Sequence, residues 1–384
     1  MLVYLRVRVV KSLMISEISI KNFKSIQNET IKLKGINIII GANNAGKSNL
    51  LDALEFYQRI LVMELQEVFG PIPFAFINVL HKGANIRTDC IELVINYENK
   101  QSIIHKFSVE SNYNPGLGPR FLLGIKNEML KIGDLIEQNS NSPNLLLRQK
   151  YIKRELPKDV ADYVNNCKSI RKFQFVPKDI KKEQIIDPVD QHIPYLQPNG
   201  ANLVNVLYAI RDTQPKAFDN IMKDFREIFP DVESLSFKHL GESRYALEFI
   251  RNVEGTEWRF LSPEISDGFV ITLAIITLIS TPNRPEIILI EEIENGLNPS
   301  TLRVILERIM KTTELSNIQF IITTHSPILL ELLSQNPEYI IICEQDKGKS
   351  KYIPLQEILS RFGKDYEPGE SLFQLWINGL IGGL

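Results

Sequence analysis

Cysteine is scarce in this chain. Its 384 residues include three cysteines, Cys90, Cys167 and Cys343, too widely spaced for any metal-ligand template. They read as reduced thiols of a cytoplasmic protein, and a disulfide scaffold is excluded. Long apolar runs are missing as well. The longest, "FVITLAIITLIS" at 269–280, falls short of the roughly 18 residues that span a bilayer and has the length of a buried core helix. No membrane is expected among the partners. An excess of charge of one sign is also lacking. A net charge of -2 gives no global basic footprint, so nucleic-acid binding would need a local patch. No sustained heptad run supports a long coiled coil, and there is neither an internal repeat nor a low-complexity tract.

What is present is 44% hydrophobic residues with an ordinary level of charge, enough for a sizeable core in two domains or one large one with insertions. The opening "MLVYLRVRVVKSLM" interleaves basic residues with aliphatics, and no small-residue cleavage site follows. Residues 1–13 are therefore expected to be a short extension, with Met14 beginning the folded unit. Period-two stretches "ISEISIKNF" and "ETIKLKGINIIIG" predict two or three strands, the last buried. "TDCIELVINYENKQSIIHKFSVE" predicts a hairpin turning at "ENKQ". Residues 111–170 are harder to read, apart from a helical "NLLLRQKYIKRELPKDVADYVNN". "KFQFVP" at 172–177 reads as a short strand. Two helices follow, divided around Thr213–Pro215, the first capped by Asn202. "RYALEFIRNVEGTEWRFL" predicts a hairpin turning at Glu254-Gly255. The final third alternates helix and strand: helix 267–280, strand 286–291, helix 299–313, strand "IQFIITTH", helix 327–335, then strands "YIIICE" and "KYIPL". Apolar strands alternating with helices argue for a parallel sheet covered on both faces.

"GANNAGKS", Gly41 to Ser48, matches G-x-x-x-x-G-K-[ST] between a buried strand and a helix, the context the motif requires. Its glycines let backbone N–H groups curl around a phosphate chain at a helix N-terminus. Lys47 would reach the β- and γ-phosphates and the Ser48 hydroxyl would bind magnesium. This is a nucleoside triphosphate site. In "EIILIEEIENGLNP" the buried strand ends in two acids: Glu291 is placed to hold the magnesium, Glu292 to orient the attacking water. His325 ends another apolar strand, "FIITTH", where an imidazole can donate to a γ-phosphate. In "SPEISDGFVITLAI", Ser266 and Gly268 precede the long apolar helix. Serine, glycine and helix N-terminus make a second anion-binding surface there, or a plain helix cap.

The order "GANNAGKS", "ISDG", "ILIEEIENGLNP", "TTHSP" resembles the ABC-type ATPase heads of the RecF, SMC and OLD group, and most closely their compact standalone bacterial relatives of the AAA-family type. "ISIKNFKSI" and "GESLFQLWINGLIGGL" resemble the first strands and the closing segment of that group. The resemblance runs from about residue 15 and is weakest over 111–200. It implies an α/β P-loop NTPase head: a mixed sheet with a parallel core, an antiparallel β subdomain and a helical lobe. The matching division is an extension at 1–13, an ATPase lobe at 14–110, an inserted, largely helical lobe with flanking strands at 111–262, and the completing core at 263–384. It further implies a head-to-tail homodimer that sandwiches ATP and Mg2+ between Gly41–Ser48 of one copy and Ser266–Gly268 of the other. Asn43, Asn44, Ala45, Gly46 and Asn49 belong with the P-loop. Glu292 would polarise the water, His325 would act as the γ-phosphate switch, and Asn298 would meet the partner copy.

Three positions depart from the group's pattern. Glu291 stands where aspartate is usual, which implies slow hydrolysis. Asn298 stands where histidine is frequent, and Phe269 follows the signature glycine where a polar residue is frequent. A magnesium-sensing glutamine is also expected at the lobe junction. Gln174 is the candidate, against the reading of an ordinary strand glutamine.

After His325 about sixty residues remain, fewer than a fused TOPRIM nuclease module needs on ordinary domain sizes. The resemblance therefore implies an ATPase subunit that powers or regulates a separate effector, a TOPRIM-type nuclease or toxin, in phage defence. The alternative is a RecF-like DNA-binding clamp in repair. It would use Arg148, Lys150, Lys153, Arg154, Lys168, Arg171, Lys172, Lys178, Lys181 and Lys182.

Overall fold

A computed structural model describes residues 14–69, 75–85, 88–98, 102–113, 121–186, 192–316, 318–362 and 371–382. The expected extension at 1–13 and most of the "ENKQ" turn lie outside the described residues. Two compact units form. One contains the chain up to Ile170 together with Ser316–Leu384, and the other is Arg171–Leu315.

The first unit opens with strands β1 (Met14–Phe23), β2 (Ile26–Lys32) and β3 (Ile36–Ile40), then helix α1 (Lys47–Val62). Short helices α2 (Leu65–Val68) and α3 (Ala75–Val79) follow, then β4 (Ile91–Glu98), β5 (Ile103–Tyr113), β6 (Phe121–Ile132) and β7 (Leu135–Ser142), and helices α4 (Leu146–Ile152) and α5 (Lys158–Lys168). Strands β2-β1-β4-β5-β6-β7 form one antiparallel sheet in that order. In β1 a bulge between Ile15 and Glu17 breaks the period of two, so Ile15 and Ile18 are both fully buried despite their odd spacing. Helix α1 buries Leu50, Leu51, Leu54 and Tyr57, the face its spacing predicts.

The second unit contains β8 (Arg171–Phe173), α6 (Pro177–Ile180), β9 (Gln184–Ile185), α7 (Leu203–Thr213), α8 (Pro215–Ile228), β10 (Val232–Gly241), β11 (Arg244–Val253), β12 (Thr256–Leu261), α9 (Asp267–Ser280), β13 (Ile287–Ile290) and α10 (Pro299–Ser316). Strands β10-β11-β12 form an antiparallel sheet, with β9 added against β11. The hairpin of β11 and β12 turns at Glu254 and Gly255, whose φ values of 52° and 81° are both positive, the conformation a tight two-residue hairpin needs. Helix α9 is buried at every residue from Phe269 to Ile279, because a helix that is apolar all round has no face to offer to water. β13 and β8 pair in parallel.

The chain then returns to the first unit through β14 (Gln319–Thr324), α11 (Ile328–Leu332), β15 (Ile340–Asp346), β16 (Lys349–Pro354), α12 (Leu355–Phe362) and α13 (Leu372–Ile377). Here the strand order is β16-β15-β3-β14, with β3 parallel to both β14 and β15 and β16 antiparallel at the edge.

Two expectations need correction. Residues 111–262 carry β6, β7 and β10 to β12 as well as α4 to α8, so strands are as prominent there as helices. Turn-forming Asn and Ser in "LIEQNSNS" hid β7, an edge strand exposed along most of its length. Asn202 sits at the N-terminus of α7, but its side chain makes no cap bond. Instead it accepts from the Gln197 amide at 2.8 Å and donates to the Tyr195 carbonyl at 2.9 Å, closing the preceding loop.

Candidate nucleotide-binding site

Strand β3 is buried at all five residues and leads directly into the 41–46 loop, after which α1 begins at Lys47. Both flanking glycines are demanded by close packing. A Cβ on Gly41 would lie 2.1 Å from the Cys343 carbonyl oxygen, and one on Gly46, at φ 106°, would lie 1.8 Å from the Ser350 hydroxyl. The β15–β16 hairpin takes up the loop's carbonyls. Ser350 Oγ donates to the Ala45 oxygen at 2.6 Å, Tyr352 donates to the Gly46 oxygen at 2.7 Å, and Gln345 Nε2 donates to the Asn44 oxygen at 3.2 Å. Because a peptide unit is planar and trans, carbonyls drawn toward the hairpin turn the next residues' N–H groups, those of Gly46 and Lys47, the other way. These amides, at the positive end of a 16-residue helix, form a cradle suited to phosphate.

The Lys47 ammonium crosses the loop and donates to the Gly41 and Ala42 carbonyls, each at 2.9 Å. Asn43 and Asn44 are exposed, Ala45 is buried, and Ser48 is half-buried one residue into the helix. Asn49 Nδ2 donates to Ser25 Oγ, which also bonds Ser350 Oγ, so the turn between β1 and β2 braces the same loop. Burial pushes the Cys343 thiol behind the loop up to about 12, so it is inert packing. The parallel register sets Thr324 opposite Ile40. His325, exposed, therefore emerges at the same strand end as Gly41.

In the second unit, β13 is wholly buried and Glu291 follows it at once. The Glu291 amide donates to the Phe173 carbonyl at 2.8 Å, and its carboxylate meets Lys172 Nζ at 2.9 Å. Glu292 has φ 51°, a left-handed conformation that costs a non-glycine residue roughly 1–2 kcal/mol. Asn295 holds it there, its amide donating to the Glu292 carbonyl at 3.0 Å and its Nδ2 to Oε2 at 2.6 Å. Such strain at a strand end is characteristic of functional positions. Gln174 lines a narrow cleft with Glu291, Glu292 and Asn295. The strand expected over 172–177 stops at Phe173, because the Gln174 amide bonds the Pro198 carbonyl at 2.9 Å and Pro177 starts α6. Gln174 therefore stands just past a strand end beside the acids, not inside a strand.

Ser266 is the N-cap residue of α9, but its hydroxyl makes no cap bond. Gly268 has a packing reason of its own, since a Cβ there would lie 2.2 Å from the Gly296 carbonyl oxygen. The "ISDG" and "ENGLN" segments are thus in backbone contact. Asn298 Oδ1 accepts from the Thr301 amide at 2.9 Å and the Ser300 hydroxyl at 2.7 Å, capping α10. Phe269, the departure after the glycine, is core: its ring centroid lies 4.4 Å from Phe229, 4.8 Å from Phe225 and 5.0 Å from Phe249.

Sequence reasoning missed the loop's braces, Ser25, Gln345, Ser350 and Tyr352, which lie far from it along the chain. It also counted Lys172 as a surface charge. Ser48, Glu291 and Gln174 offer oxygen donors of the hard type that suit magnesium. Among the described residues no group of three His, Cys, Asp or Glu side chains forms a metal cage, and magnesium held by a carboxylate together with phosphate oxygens needs none.

Residues 14–233 match the family described as "AAA ATPase domain", and residues 179–331 match one described as "AAA domain, putative AbiEii toxin, Type IV TA system". A Helicobacter pylori protein named "ATP/GTP phosphatase" is 24% identical over 349 residues, covering 84% of this chain and 88% of its own. Among solved structures, the SMC head bound to the C-winged helix domain of ScpA superposes with a TM-score of 0.53 at 16% identity, covering 88% of this chain and 97% of that one. The SMC head domain from Thermotoga maritima gives a TM-score of 0.50 at 13% identity, covering 88% and 98%. At these identities the likeness concerns fold: a mixed α/β P-loop head. No helix among the described residues is long and apolar enough to cross a membrane.

Proposed function

The chain belongs to the AAA ATPase domain family, and we propose that it is an ABC-type head of the RecF, SMC and OLD group that closes as a homodimer around ATP to drive a separate effector. The observation that carries the nucleotide reading is the braced loop of Gly41–Ser48, with carbonyls committed to the β15–β16 hairpin and Lys47 laid across it. Lys47 moves from its two carbonyls to the β- and γ-phosphates, and the backbone amides of Gly46 and Lys47 bind phosphate oxygens. Ser48 and Glu291 are the residues that would hold magnesium, with Gln174 beside Glu291, and the ion would supply charge neutralisation on the phosphates. Glu292 orients and deprotonates the attacking water, and His325 donates to the γ-phosphate. Ser266 and Gly268 of a second copy cap the nucleotide, with Asn298 at that interface. With Glu291 in the magnesium position, turnover is slow.

Coupling to a separate partner is supported by the toxin–antitoxin description of the second matching family and by an SMC head solved with a bound ScpA domain, and phage defence is the setting we propose for it. Support for the DNA clamp is thin, because the basic residues offered for it are largely engaged. Arg148 faces Glu64, Lys150 faces Glu137, Lys172 faces Glu291, Lys181 faces Asp267, and Lys182 faces Asp179. Lys168 lies over the Tyr151 ring. Phosphate release and light scattering on wild type and Glu292→Gln test the proposal. The variant is expected to lose about 10²–10⁴-fold in turnover while still binding ATP and dimerising with it. A variant that turns over like wild type would remove Glu292 from the chemistry.

A further inference from the structure

Two carboxylates at the end of a buried strand demand a positive neighbour, and the fold supplies one from the adjacent strand. β8 and β13 run parallel with Lys172 opposite Leu289 and Phe173 opposite Ile290. The Glu291 amide is pinned to the Phe173 carbonyl at 2.8 Å, so backbone hydrogen bonding fixes the spacing of the two chains at this point. From that position Lys172 Nζ reaches Glu291 Oε2 at 2.9 Å, with the side chains only 18% and 12% exposed. The pair is therefore partly desolvated, where attraction between the charges is far stronger than in water. By contrast, several of the chain's other ion pairs are largely open to solvent, such as Arg361 with Glu357 at 61% and 57%.

We propose that Lys172 is a gating and positioning residue for the divalent cation. Its ammonium occupies one oxygen of Glu291, so a cation arriving with the nucleotide must displace or share that contact. The inference rests on Glu291 as the metal-associated acid. Lys172 keeps Glu291 charge-compensated and correctly placed between cycles, and it raises the cation concentration at which the site responds. The pair and the cation thus exclude one another in proportion, and tight cation binding is reserved for a site already carrying a triphosphate.

The gating role and a merely structural one predict opposite signs. If Lys172 only held Glu291 in place, its loss would loosen cation binding. If it competes, its loss tightens it. The test measures affinity for a fluorescent ATP analogue as Mg2+ is titrated, in the full chain, without reference to hydrolysis. Lys172→Met is expected to lower the half-saturating Mg2+ about tenfold, the equivalent of about 1.4 kcal/mol, close to the lower end for one hydrogen bond to a charged group. Lys172→Gln, which keeps a donor but loses the charge, shifts it the same way and decides the matter if the methionine variant does not fold. An unchanged or raised half-saturation in these variants overturns the inference while leaving Glu291 in place. Glu291→Gln is expected to abolish the Mg2+ response. If it responds like wild type, the assignment of Glu291 itself is wrong and the gate falls with it.

Discussion

Behind the P-loop helix α1 lies a buried polar cluster, and behind the signature helix α9 lies a buried aromatic one. In the first unit Tyr57 of α1 shares its hydroxyl with His105 Nδ1 of β5, at 2.8 Å, and with the Tyr163 hydroxyl of α5. His105 Nε2 meets Glu128 of β6 at 3.1 Å, and the Glu128 carboxylate accepts the amides of Leu146 and Leu147 where α4 begins. All four side chains are essentially inaccessible to water. Burial drives both tyrosine hydroxyls well above their ordinary range. Burial also pushes the Glu128 carboxyl up, but the hydrogen bond and charge of His105 outweigh it, with the two backbone amides adding to them, and hold the group below its usual value. In the second unit Phe225, Phe229, Phe249 and Phe269 pack edge to face and tilted, with the Arg251 guanidinium 5.7 Å from the Phe269 ring. The polar cluster is directional: each bond fixes one element against another, and each depends on a protonation state. The aromatic cluster depends on shape and area, and is indifferent to pH.

The comparison breaks most forcefully at Phe269. Phe269→Ala is expected to cost about 4 kcal/mol, read as a lower denaturant midpoint, with the same loss at every pH. Glu128→Ala comes next, at about 3 kcal/mol, because it strands a buried histidine and two helix amides. Its signature is the pH dependence. The folded-state pKa of Glu128 lies below the ordinary 4.5, so its stabilisation is fully present above that value and is lost as pH falls through the lowered one. Wild type should therefore lose stability on acidification below about pH 4.5 more steeply than the alanine variant does. Gly268→Ala should cost about 2 kcal/mol through overpacking, since its Cβ would collide with the Gly296 carbonyl, and melting curves would show it. Tyr163→Phe is the mildest, at about 1 kcal/mol, because Tyr57 keeps His105 as a partner.

Legibility followed the range of the interactions involved. The P-loop, the acidic strand end and the strand before His325 could be read because motif and context lie within some fifteen residues of one another. Helices α7 and α8, the turn at Glu254-Gly255 and the buried α9 were likewise written in local pattern. β7 escaped because an exposed edge strand carries no apolar alternation. Asn202 shows the same limit, since it has the residue type of a cap and closes a loop instead.

The amino-acid sequence by itself determined which segments become strand, phosphate loop and apolar helix, since periodicity, glycine placement and a six-residue spacing of Gly41 to Lys47 are properties of neighbouring residues. It also determined that two acids would stand at the end of β13. Only the tertiary structure decided what surrounds them. Ser350 and Tyr352 reach the loop from some three hundred residues away, Phe269 turns out to be core, and Lys172 becomes the partner of Glu291 across a pair of parallel strands. Register between distant strands is set by the burial of both together, and no short stretch of either one contains that information.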